Sequence, residues 1–153
     1  MRSFKPVVTI LATLSILPFV LATYLSLSQS TLYGTAGITL FATYAAITLS
    51  FISGIIWGKV LEQEQCNNGK KLLLACNMVL LVAWITLLIN APELSIALLL
   101  LGFISIFWVE ARWLKPSNNN KPSNDNKSYY LSMHFGLTSL VCSMHLLVLY
   151  PHY

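Results

Sequence analysis

Five runs of about 20 mostly apolar residues govern what this 153-residue chain can fold into. They cover roughly 7–27, 35–57, 72–89, 94–114 and 129–150. A helix of about 20 residues, rising about 1.5 Å each, crosses a hydrocarbon core about 30 Å thick. Inside lipid the chain must satisfy its own backbone hydrogen bonds, which leaves helices or a closed barrel. Spanning strands would show about 9–11 residues of alternating polarity, and that pattern does not occur. Charged residues make up 9% of the chain, against about 25% in ordinary soluble domains. So little charge does not cover a soluble fold of this size. The expected architecture is all-α: a single transmembrane domain over 1–153, a polytopic bundle of five transmembrane helices.

The basic residues orient that bundle. Arg2 and Lys5 precede the first run; Lys59, Lys70 and Lys71 lie between the second and third; Arg112 at the end of the fourth run joins Lys115, Lys121 and Lys127 in the flank between the fourth and fifth. The other three flanks carry none. Cytoplasmic flanks collect Lys and Arg, so the N-terminus is expected in the cytoplasm and the C-terminus outside. The net charge of +4 follows from this topology and does not point to nucleic acid. The expected location is the bacterial inner membrane, with the mitochondrial inner membrane as the alternative. The first run resembles a signal peptide, yet its apolar length exceeds the usual h-region of about 7–15 residues, which favours a retained helix. Cleavage near Ser26-Leu27-Ser28 would leave four helices in the same orientation.

Aromatic rings favour the membrane interface. Trp57, Trp108, Trp113, Tyr129 and Tyr130 would mark the cytoplasmic side, and Tyr24, Tyr33, Tyr150 and Tyr153 the other. Asn90-Ala91-Pro92-Glu93 reads as a tight turn, with Asn90 capping the fourth helix and Pro92 in its first turn. Residues 115–128 contain the tandem hexapeptides KPSNNN and KPSNDN and read as a flexible cytoplasmic loop.

The sharpest packing signal is in the second run. Ala42, Ala46, Ser50, Gly54 and Gly58 recur every four residues, and Gly54–Gly58 is a GxxxG. Small residues at this spacing admit close helix approach, within the chain or to another one. Pro18 interrupts the first run and should kink it by freeing the carbonyl of Leu14. Glu110 is the one acid inside an apolar run, and Lys59, Lys70, Lys71 and Arg112 are its candidate partners. Arg112 follows Trp108 by one turn, which allows a cation–π contact.

His134 and His145 share a face of the fifth run, about 16 Å apart. Two ligands on one helix cannot take opposite sides of one haem. Cys142 and His145 supply only two ligands, too few for a metal site. No metal and no cofactor is therefore expected. His134 is expected to hydrogen-bond near the interface, and His145 and Asn77 across helices. The three cysteines have neither metal spacing nor evident pairing. No nucleophile–base set or phosphate loop is present, so no catalytic residue is assigned.

The segment Tyr44–Gly58, YAAITLSFISGIIWG, resembles the tyrosine and "SF-small-G-x-x-WG" segment of the transmembrane protein 69-like family, domain of unknown function 3429. Tyr130, His134, Leu137 and Thr138 resemble the opening of that family's last helix, with His134 where the family has an arginine. Ser53-Gly54 stands where the family has tandem glycine. The resemblance implies a small multi-helix membrane protein of bacterial or mitochondrial type and carries no activity.

Three functions follow as expectations. The first is a non-enzymatic accessory or interaction subunit, pairing with itself or a larger membrane complex through Ala42, Ala46, Ser50, Gly54, Trp57 and Gly58. The second is a small transporter or channel with a polar path near Glu110, His134 and Asn77, with Arg112 close by. The third, a membrane-embedded enzyme or redox protein, lacks the ligand sets it would need.

Overall fold

The computed structural model describes residues 5–62, 69–89, 91–113 and 124–150. Helix α1 spans Lys5–Leu14 and α2 Leu17–Leu27; α3 is Gly37–Glu62, α4 Gly69–Leu88, α5 Pro92–Trp113 and α6 Asn124–Leu149. A two-residue pair of strands, β1 (Thr31–Leu32) and β2 (Thr35–Ala36), lies between α2 and α3. Among the described residues, five helical spans are long and apolar enough to cross a membrane: Pro6–Leu27, Gly37–Leu61, Gly69–Leu88, Pro92–Arg112 and Ser132–Leu149. The protein is thus an all-α, multi-pass membrane protein.

The first span is broken where the proline demands it. Pro18 has no N–H to donate, and the helix stops over Ser15–Ile16, where Ile16 N–H turns to Thr13 O at 3.1 Å. A new helix begins at Leu17 with Pro18 in its first turn, a position proline tolerates. Tyr44 Oη on α3 donates to the carbonyl of Ser15 at 2.9 Å, tying the break to the bundle.

At its far end α2 closes in a Schellman arrangement. Ser30 N–H bonds Leu25 O at 2.9 Å, Gln29 N–H bonds Ser26 O at 3.2 Å, and Gln29 takes φ 52°. Tyr33 and Gly34 follow with φ 50° and 78°. Two positive values in a two-residue loop are what a type I′ hairpin needs, and glycine adopts one without strain. The hairpin delays α3 to Gly37, two residues later than expected. The helix then runs to Glu62, five residues past Trp57.

Helix α5 starts at Pro92, and Ala91 O accepts its first bond from Ser95 N–H at 3.1 Å; Asn90 lies outside the described residues. Helix α6 starts at Asn124, so the last five residues of the expected loop 115–128 are helical, and 115–123 lie outside the described residues.

The packing order is a ring of four helices with a fifth outside it. α3 packs against α2 and α5, α5 against α6, and α6 against α2. α4 packs on α3 and α5 from outside this ring. Buried Phe19, Phe41, Leu49, Phe103, Ile106 and Val148 fill much of the core. Two close approaches set it. A Cβ at Gly37 would run into the backbone of Leu25 and Ser26, and one at Gly102 would lie 2.5 Å from Leu49 Cδ2.

Candidate functional site

Three helices of the ring meet at one charged cluster. Lys59 stands in the last turn of α3 and Glu110 near the end of α5. His134 joins them from α6. Lys59 Nζ lies 2.8 Å from Glu110 Oε1, and His134 Nδ1 lies 2.9 Å from Glu110 Oε2. The Glu110 side chain is 4% exposed, His134 11% and Lys59 32%. The carboxylate is therefore inside the bundle, and the cluster reaches outward through the lysine. An ionised carboxylate only accepts, so His134 Nδ1 carries the hydrogen. Phe107 packs its ring against His134 at 6.5 Å. A buried carboxylate with a separate donor on each oxygen is held in place and desolvated, the arrangement expected of an intramembrane acid.

The structure brings Glu110, His134 and Lys59 together and leaves the other sequence candidates apart. Arg112 is exposed two residues beyond Glu110 on α5, on the outward side with Trp108. Lys70 and Lys71 are exposed at the start of α4. Asn77 is also exposed, on the helix outside the ring. Cys76 is buried and Cys142 half-buried, both as free thiols; Cys66 lies outside the described residues.

His145 does not make the interhelical hydrogen bond expected of it. Nδ1 lies 2.8 Å from Val141 O of its own helix. The ring is fully buried among phenylalanines from the three other ring helices: Phe41 at 4.8 Å, Phe103 at 5.4 Å and Phe19 at 6.3 Å. Nothing in the sequence singles out those phenylalanines, because they sit in the same apolar background as their neighbours.

The small-residue ridge of α3 divides in two. Ala42 and Ala46 are buried and Ser50 is half-buried. Gly54 and Gly58 have open space where a side chain would go, and Trp57 is 41% exposed. Open apolar grooves flank the earlier part of α3, between Leu40 and Ser50. One of about 260 Å³ runs along α2 past Pro18, Leu21, Thr43 and Ile47. The other, about 510 Å³, runs along α4 past Ala46, Ser50, Ala83 and Trp84.

A family model described as a protein of unknown function (DUF3429) matches residues 4–150. No curated protein and no solved structure matches the chain.

Proposed function

Since the chain belongs to the DUF3429 family, whose description assigns no activity, we propose its function from geometry: a non-enzymatic interaction subunit that docks a transmembrane helix on α3. The observation that carries this reading is the open space beside Gly54 and Gly58. Glycine inside a helix costs about 1 kcal/mol relative to alanine. Packing among the described residues does not offset that cost at either position. A helix from a second copy or a larger membrane complex, approaching closely over Gly54–Gly58, would do so. The distribution of Lys and Arg supports a cytoplasmic side for the basic ends of α3, α4 and α5, and the location proposed with it is the bacterial inner membrane.

Gly54→Leu tests the docking face, because a Cβ added there meets nothing within 4 Å. The variant is expected to fold and to lose its oligomer or co-purifying membrane protein. Unchanged assembly and unchanged co-purifying bands would sink the proposal.

A second reading, a small transporter, is favoured by the Lys59–Glu110–His134 cluster. It predicts flux through proteoliposomes that Glu110→Gln alters; wild-type vesicles with no flux of protons or small ions would remove it.

A further inference from the structure

Nine buried polar or charged side chains occur among the described residues, and they divide by whether they touch α4. Ser53 donates to Cys76 O at 2.7 Å, Ser95 to Thr86 O at 2.7 Å, and Thr86 to Ala83 O at 2.7 Å. These three are satisfied at the contacts of the outer helix. The other six stand on ring helices: Thr23 and Ser26 on α2, Glu110 on α5, and His134, Thr138 and His145 on α6. Three of their atoms, Thr23 Oγ1, Ser26 Oγ and His145 Nε2, have no partner among the described residues.

Helical hydroxyls have an easy local remedy. Thr13, Thr43, Thr48, Ser50 and Ser143 all donate to the carbonyl four residues back. Thr23 and Ser26 have the same carbonyls behind them and do not use them. A buried polar atom left unpaired costs about 1–3 kcal/mol. Water between such groups is the usual remedy.

These groups extend from one end of the bundle to the other. Ser26 lies beside Gly37, at the start of α3. Lys59 is 22 residues along that helix, about 33 Å away, against a hydrocarbon core of about 30 Å. His134, Thr138, Val141, His145 and Val148 form the buried face of α6, with polar members about 6 and 10 Å apart along the axis. Phe19 packs near His145, and Thr23 and Ser26 follow it on the same buried face of α2.

We propose, extending the transport reading and resting on it, that the seam inside the α2–α3–α5–α6 ring is a proton route from the Lys59–Glu110–His134 cluster past Thr138 to His145, Thr23 and Ser26. Val141 O only accepts, so His145 Nδ1 carries the hydrogen and Nε2 offers its lone pair to an incoming proton. The imidazolium so formed stands in T-shaped contact with Phe41 at 4.8 Å and Phe103 at 5.4 Å, and the cost of burying its charge drives it back to the neutral ring. Return to the neutral ring hands one proton to water held by Thr23 and Ser26. One proton enters and one leaves, so no oxidant or reductant takes part. Other titratable groups near the route are Tyr44 on α3 and Cys142 on α6.

Purified full-length protein in proteoliposomes with an internal pH-sensitive dye and an imposed membrane potential tests the route. Wild type is expected to admit protons faster than protein-free vesicles, and His145→Phe to lower that rate at least tenfold. Should His145→Phe misfold, Thr23→Val with Ser26→Ala keeps side-chain volume and is expected to lower it severalfold. Wild-type vesicles no leakier to protons than lipid alone would overturn both this route and the transport reading. Flux that responds to Glu110→Gln but not to His145→Phe or to the hydroxyl pair would overturn the route alone.

Discussion

Glu110 joins three helices with two oxygens, one to Lys59 and one to His134. Removing one partner of a buried charge leaves the charge uncompensated, which costs about 3–5 kcal/mol in the interior. His134→Leu is expected to destabilise by about 3 kcal/mol on that basis. Lys59→Met should cost nearer 1 kcal/mol, about the scale of a partly exposed pair, because the lysine is 32% exposed. Thermal melts in detergent decide the order; a larger loss for Lys59→Met would show that the histidine bond is the weaker one. Glu110 was legible as a lone acid in an apolar run, and Lys59 stood among its candidate partners. That His134 takes the second oxygen was not legible, because the two residues meet only when α5 packs against α6.

The glycines show how differently one residue type behaves from element to element. At Gly37, where α3 leaves the hairpin, a Cβ meets the backbone of α2. At Gly54, in the second half of α3, it meets nothing within 4 Å. Gly37→Ala is therefore expected to destabilise by about 1–3 kcal/mol, the range for overpacking. Gly54→Ala should stabilise the chain by up to about 1 kcal/mol through helix propensity. Chemical unfolding of both variants checks the opposite signs; two losses of similar size would mean that the open face is filled. The four-residue recurrence was plain in the sequence. Its division into a packed half and an open half was not, because periodicity names a face without saying what lies against it. The break before Pro18 was legible from missing donor chemistry. The hairpin at Tyr33–Gly34 was not, since Tyr33 passed for an interfacial aromatic.

For the whole molecule, the ring of α2, α3, α5 and α6 with α4 outside explains why polar groups behave differently on its two sides. Contacts with α4 are sealed by satisfied hydroxyls, whereas the ring encloses the charged cluster, His145 and the hydroxyls of Thr23 and Ser26, which have no partner among the described residues. Lys59, Glu110 and His134 lie at the same end of the bundle as the basic flanks, the end that the distribution of Lys and Arg leads us to expect in the cytoplasm. Reporter fusions to the two termini are expected to read cytoplasmic at the N-terminus and external at the C-terminus; a cytoplasmic C-terminus would overturn this orientation. The sequence by itself determined the number of spanning helices, because lipid admits only backbone that satisfies itself and about 20 apolar residues suffice to cross it. It also assigned the chain to its family through Tyr44–Gly58. The tertiary structure alone decided which helix stands outside the ring, which face of α3 is left open, and which polar side chains share one interior. In a bundle whose helices are apolar on every side, no amphipathic pattern names the inner face, and only packing does.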